Sequence, residues 1–139
     1  MTPKRTRRAR AARSSRRSSK PRRYLVCRAS EVPPGTSLKF ILPIDGFDEE
    51  CFLVNCDGEY HAYVNRCCHI PIAMDWIDNQ FFTADGRYLL CQTHNACYLP
   101  RTGECIFGPP GTPGKALAKV PLEQSDGTIY ASPRSVQQP

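Results

Sequence analysis

The sequence predicts an all-β fold. Three observations carry that reading. From Tyr24 onward the apolar residues fall in short runs, some alternating with polar ones, and none sustains a helical period. Gly, Pro, Asp and Asn punctuate those runs at short intervals, the spacing of an all-β domain. Two Asp-Gly pairs, Asp57-Gly58 and Asp85-Gly86, stand between such runs. That dipeptide suits the tightest hairpin turns, which need positive φ at both central residues.

Taken in order, Tyr24 to Arg28 is a first short strand, and Ser30 to Gly35 is a turn. Ser37 to Leu42 alternates in part and predicts a second strand. Cys51 to Asn55 and Tyr60 to Val64 flank Cys56-Asp57-Gly58-Glu59 as a hairpin. A short irregular or helical stretch is expected near Ala73 to Ile77. Phe81-Phe82-Thr83 and Tyr88-Leu89-Leu90 form a second hairpin. Tyr98-Leu99 and Cys105-Ile106-Phe107 pair around Pro100-Arg101-Thr102-Gly103, and residues 108 to 114 form a Gly-Pro-rich loop. Leu117 to Val120 and Thr128 to Ala131 close the sheet.

The length of 139 residues permits one domain of modest core plus a tail. The boundaries expected are a disordered basic tail at 1–23, a domain at 24–131 and a flexible C-terminal tail at 132–139. The net charge of +6 is unevenly spread. Residues 1 to 23 hold 11 Lys and Arg and no acid, while the remainder holds eight bases against all 13 acids, a net of −5. The tail carries no aliphatic side chain larger than alanine beyond Met1 and cannot bury enough surface to fold alone. Three functional readings compete for it: a nucleic-acid-binding arm, an organelle transit peptide and a twin-arginine signal. The signal needs an apolar segment that is missing here, and the transit peptide an amphipathic face. A disordered, solubilising extension is the plain reading. No run of 18 apolar residues exists, so no membrane span is expected.

Eight cysteines would suggest a disulfide framework in a short exported chain, but no export signal is visible. A reducing, cytoplasmic setting fits better. Cys27, Cys51 and Cys105 fall in apolar patterns and are expected as small buried hydrophobes, and Cys56 is expected in a turn. The remaining four lie in or beside two short boxes, Cys67-Cys68-His69 and Cys91-Gln92-Thr93-His94. One reads Cys-x-His, the other Cys-x-x-His. Two thiolates and two imidazoles from two loops suit a metal centre. Cys68 and Cys97 are open to three readings (substitute ligands, redox partners or bystanders), of which bystander is the simplest.

After the second box come Asn95-Ala96-Cys97-Tyr98, Arg101-Thr102-Gly103-Glu104 and Gly108-Pro109-Pro110-Gly111. With the two boxes, these segments resemble the Rieske ferredoxin family over residues 24 to 131. The resemblance implies stacked antiparallel sheets with a two-loop cluster-binding subdomain. It implies one [2Fe–2S] cluster, with Cys67 and Cys91 on one iron and His69 and His94 on the other. Tyr98 would tune it by donating to sulfur, and Pro109 and Pro110 would shield it from water. The implied function is a soluble electron carrier, or a small redox subunit of an enzyme complex, rather than an enzyme. It would pass single electrons between a reductase and a terminal oxidase or oxygenase, as a monomer or within a complex. A nucleic-acid partner is not expected.

The chain departs from the family pattern in several places. The 21 residues between His69 and Cys91 exceed the common spacing, and the excess fits the Asp85-Gly86 hairpin. Asn95 replaces a glycine, and Asn tolerates positive φ better than most residues. Pro71 stands where the first loop often has glycine. High-potential members tie the loops with a disulfide, but the corresponding positions are Ile72 and Thr93. Ala96 stands where those members carry a hydrogen-bonding serine. Fewer donors to the cluster imply a potential in the lower part of the Rieske range, roughly −150 to +300 mV. The alternative is a zinc module that uses the same Cys2His2 set and binds nucleic acid through the basic tail. Against it, Cys-x-His is tight for one tetrahedral ion, and zinc fingers pair Cys with Cys and His with His.

Overall fold

The computed structural model describes residues 6–12, 23–68, 72–75, 77–93 and 95–133. Among these, twelve strands form three sheets. In chain order they are β1 (Arg7–Arg8), β2 (Arg10–Ala12), β3 (Arg23–Arg28), β4 (Ser37–Ile44), β5 (Phe47–Cys56), β6 (Glu59–Val64), β7 (Leu89–Cys91), β8 (Ala96–Tyr98), β9 (Cys105–Phe107), β10 (Lys119–Val120), β11 (Leu122–Ser125) and β12 (Thr128–Ala131). A single turn of 3₁₀ helix, Ala29–Glu31, follows β3. The sheets run β1-β4-β5-β6-β10, β11-β12-β3-β2 and β7-β8-β9. All pairings are antiparallel except that of β1 with β4.

Three Asp-Gly pairs make the tight turns. Asp57 and Gly58 take φ of 52° and 92° between β5 and β6. Asp45-Gly46 joins β4 to β5 and Asp126-Gly127 joins β11 to β12, also with positive φ throughout. These turns extend the strand expected to end at Leu42 as far as Ile44, and they place Cys56 at the end of β5 rather than in the turn. The Asp85-Gly86 hairpin is shorter than a full ladder. It rests on a bridge between Phe82 and Leu89 and on Leu90 N–H donating to the Phe81 carbonyl at 2.7 Å. The described residues between Ile72 and Ile77 form bends, not a helix.

The β5–β6 hairpin divides the interior. Period two sends Cys51 and Leu53 of β5, with Ala62 and Val64 of β6, into one core beside Val26, Cys27, Phe40, Leu42 and Ile129. The intervening Phe52, Val54 and Tyr63 enter a second core with Cys67, Met74, Phe81, Leu89, Cys91, Ala96, Tyr98, Cys105 and Leu117. Both faces of β5 are thus covered, which explains the unbroken apolar run from Cys51 to Val54. Phe52 stacks on Phe81 with centroids 3.9 Å apart. As expected, Cys27, Cys51 and Cys105 are buried.

A further correction concerns the N-terminal segment. The tail expected to be disordered through residue 23 is ordered at residues 6–12. β1 pairs parallel to β4, with Arg7 opposite Phe40, and β2 pairs with β3, with Arg10 opposite Leu25. Ala9, between them, is buried in the first core and donates its N–H to the Ile41 carbonyl at 2.9 Å. Backbone pairing on two open sheet edges supplies what an Arg-rich segment lacks in apolar side chains. Arg7 and Arg8 then meet Glu31 at 3.0 Å and Asp48 at 2.8 Å.

Candidate metal centre

Both boxes sit at strand ends, where regular pairing stops and a loop can turn its side chains inward. Cys67 follows β6 by three residues, and Cys91 is the last residue of β7. The first loop is closed by Cys67 N–H donating to the Ile72 carbonyl at 2.9 Å. In the second, Asn95 takes φ of 57°, the left-handed geometry that Asn tolerates in place of glycine. The loops bring Cys67 and Cys91 together in the second core, and both are buried. Their thiols meet side chain to side chain. The bond to Cys67 and then burial push the Cys91 thiol well above its ordinary range.

Tyr98 lies above this pair. Its hydroxyl is 3.0 Å from Cys67 Sγ and 3.3 Å from Cys68 Sγ, and it accepts the Cys68 N–H at 3.3 Å. Burial, then contact with the two cysteines, pushes its pKa up, so the phenol keeps its proton and can donate. The buried Thr93 hydroxyl bears on the Cys91 thiol and opposes the rise there. Two buried sulfurs in contact, a phenol at the first of them and a buried hydroxyl beside the second fit a sulfur-rich metal group. His69 and His94, like Pro71 and Trp76, lie outside the described residues. Among the described residues no group of three or more His, Cys, Asp and Glu gathers around a possible ion.

The Gly-Pro-rich segment is an ordered loop, held by Thr112 N–H on the Pro109 carbonyl at 3.0 Å and Gly114 N–H on the Cys105 carbonyl at 3.1 Å. It reaches the start of β8 through Gly108, where an added Cβ would come 3.2 Å from the Ala96 Cβ. Ala96 is therefore a packing contact for this loop. Pro109 is half-buried and Pro110 exposed. Cys68 and Cys97 are both half-buried, and no disulfide joins any of the eight cysteines. His61 stands on β6, where burial and then Lys119 push its imidazole below its usual value.

A polar network beneath the first loop is not anticipated by the motifs. Lys39 on β4 reaches Asp78 at 2.7 Å and Asp75 at 2.9 Å, with Glu50 at 3.5 Å. Burial pulls the Lys39 ammonium down, but its bonds to Asp78 and Asp75 outweigh that and leave it raised. Asn65, two residues before Cys67, donates to Glu50 at 2.7 Å and Asp75 at 2.8 Å, and accepts the Met74 N–H at 2.9 Å. The network pins both ends of the first loop to the β4–β5 hairpin. The signal available in sequence is an Asn directly after a strand and before a ligand box, which is weak because such an Asn more often makes a turn.

An antiparallel β scaffold carries two loops whose cysteines, Cys67 and Cys91, converge in a buried core, an arrangement suited to a metal–sulfur centre. The chain belongs to the Rieske [2Fe–2S] domain family, whose model matches residues 22–131. No curated protein matches the chain. Among solved structures it is similar to the ferredoxin of carbazole 1,9a-dioxygenase from Nocardioides aromaticivorans IC177, at TM-score 0.59 and 20% identity over 79% of this chain and 96% of that one. It also resembles a chain in a complex of reduced oxygenase and oxidized ferredoxin in carbazole 1,9a-dioxygenase, at TM-score 0.62 and 20% identity, covering 81% and 94%. The terminal oxygenase of carbazole 1,9a-dioxygenase from Novosphingobium sp. KA1 gives TM-score 0.63 and 20% identity over 84% of this chain but 30% of its own. Among the described residues no helix is long and apolar enough to cross a membrane.

Proposed function

We propose that the protein is a Rieske-type electron carrier that takes single electrons from a reductase and delivers them to a terminal oxygenase or oxidase. The observation that carries this reading is the convergence of Cys67 and Cys91, buried and in contact, beneath the Tyr98 hydroxyl. In this reading Cys67 and Cys91 hold one iron as thiolates, and His69 and His94 hold the other through one ring nitrogen each. The [2Fe–2S] group, when bound, supplies a one-electron couple.

The chain's own residues set the conditions for that couple. Tyr98 donates to sulfur, which favours the more negative reduced state. Phe81, Leu89, Ala96 and Leu117 keep water from the buried cysteines. The shielding proposed for Pro109 and Pro110 is supported by the packing of the adjacent Gly108 against Ala96. Support for a carrier's role comes from coverage: the chain spans nearly the whole of the similar ferredoxin and under a third of the similar oxygenase. The oxygenase–ferredoxin complex among the similar structures supports the kind of partner. In this reading the setting is reducing and cytoplasmic, with which eight cysteines outside any disulfide are consistent, and the protein is a monomer or a subunit of a complex. No observation favours the zinc module.

The test is anaerobic reconstitution followed by metal and sulfide analysis, electron-spin spectra of the dithionite-reduced sample and redox titration. Two irons and two labile sulfides per chain are expected, with a potential in the lower part of the roughly −150 to +300 mV span. A colourless protein holding zinc without sulfide would overturn the assignment.

A further inference from the structure

The loops after β6 and β7 are joined by polar contacts that converge on one residue. Gln92 follows Cys91 directly. Its backbone N–H donates to the Met74 carbonyl at 3.1 Å. Its side-chain Oε1 accepts the Ile77 N–H at 2.9 Å, and its Nε2 donates to the Gln80 carbonyl at 3.4 Å. One residue of the second loop thus holds three stations along the segment that leaves the first. Met74 is itself fixed on the other side, because its N–H donates to Asn65 Oδ1 at 2.9 Å and its side chain is fully buried. A continuous path therefore runs from Asn65, two residues before Cys67, through Met74 to Gln92, next to Cys91. Ile72 and Thr93 offer no covalent alternative.

We propose that Gln92 is a positioning residue whose side-chain amide clamps the two loops and fixes the separation of the sulfur ligands. The inference rests on the ligand assignment above. An amide suits the task. It offers an acceptor to Ile77 and a donor to Gln80 at once, and it is neutral, so it adds no charge beside a centre that gains an electron. Glutamate in its place keeps the acceptor for Ile77 and loses the donor. Alanine loses both while keeping the backbone bond to Met74.

The experiment compares the full-length wild type with Gln92→Ala and Gln92→Glu. In the iron-free chain, hydrogen exchange of the Ile77 amide is expected to be about fivefold faster in Gln92→Ala, the size of one ordinary hydrogen bond. Gln92→Glu should stay near wild type. Amides of β4, β5 and β6 should not change in either variant, which separates the clamp from general loosening. After reconstitution, Gln92→Ala should release iron to a chelator about fivefold faster and show shifted electron-spin g values, whereas Gln92→Glu, which keeps the Ile77 contact but loses the donor to Gln80 and adds a charge, should lower the midpoint potential without reaching the Gln92→Ala release rate. Wild-type rates and spectra in Gln92→Ala, or iron release from Gln92→Glu as fast as from Gln92→Ala, would overturn the proposal. If the wild type takes up no cluster while Ile77 exchange still responds to Gln92, the ligand assignment has failed and the positioning role falls with it. If the wild type holds its cluster and Ile77 ignores Gln92, the clamp alone has failed.

Discussion

Gly103 occupies a position that no other residue can fill without displacement. Its φ of +78° disfavours a side chain, and a Cβ there would stand 2.6 Å from Tyr63 Cε1. That ring is fully buried between the β5–β6 hairpin and the turn before β9, and its hydroxyl donates to the Pro100 carbonyl at 2.6 Å. Gly103→Ala combines left-handed backbone with overpacking, and a loss of about 3 kcal/mol is expected. Tyr63→Phe removes only the hydrogen bond and leaves the carbonyl unsatisfied, for about 1 to 2 kcal/mol. Thermal unfolding of the two variants should rank them in that order, and the reverse ranking would show that the turn relaxes freely. At the proposed centre the corresponding residue is Tyr98. Removing a donor 3.0 Å from Cys67 Sγ withdraws support from the reduced state. Tyr98→Phe should lower the potential by about 40 mV, taking about 1 kcal/mol for the bond and 59 mV per tenfold change in a one-electron couple. An unchanged potential in titration would mean that the hydroxyl bonds elsewhere once the cluster is in place.

At the scale of elements, legibility followed backbone chemistry. Asp57-Gly58 is readable because positive φ at two adjacent positions is a local demand that local residues meet. Asp45-Gly46 and Asp126-Gly127 carry the same signal, but Pro43 and the polar stretch Glu123 to Ser125 obscure the strands beside them. Cys67, Cys91 and Tyr98 stand out in the sequence because the ligand role proposed for the cysteines would demand particular residue types, and the structure brings the three together. The Lys39–Asp75–Asn65 network is not, because it joins residues 36 and 10 positions apart through tertiary contacts. Least readable is the ordering of residues 6–12, which comes from partners' sheet edges rather than from their own composition. This strap is held at its flanks by exposed charge pairs. The Arg28 N–H and then Arg7 hold the Glu31 carboxyl below its usual range, and Arg8 does the same for Asp48. A depressed folded-state pKa gives stability that is complete above the unfolded value and is lost as pH falls through the folded one. The strap should therefore hold at neutral pH and loosen below about pH 4. Exposed pairs are also screened by salt. Exchange protection of the Ala9 amide, read against pH and ionic strength, checks both effects. Protection that persists in acid and in high salt would show that backbone pairing alone retains the strap.

At the scale of the molecule, the β5–β6 hairpin separates two cores of different dependence. The first is built mainly from strand side chains: Phe40, Leu42, Leu53, Val64 and Ile129, with Val26 and the neighbouring Ala9, need no metal to meet. The second contains Cys67 and Cys91 and closes over two loops that lack regular pairing. If those thiols are ligands, metal binding is coupled to the order of the second core and only weakly to the first. The contacts that survive without metal in the second core are also partly scaffold-borne: Phe52 stacks on Phe81, and Tyr63 is tied to Pro100. Removing the cluster should therefore not unfold the chain. Chelation under reducing conditions is expected to leave far-ultraviolet circular dichroism close to its starting value. Exchange of the Cys67 and Gln92 amides should rise at least tenfold, because each closes a loop that the metal would otherwise hold. The Phe52, Leu53 and Ala62 amides, inside the β4–β5–β6 ladder, should retain their protection. A single cooperative loss of all strand signal on chelation would refute this division, because it would mean that the two cores share one folding unit through β5.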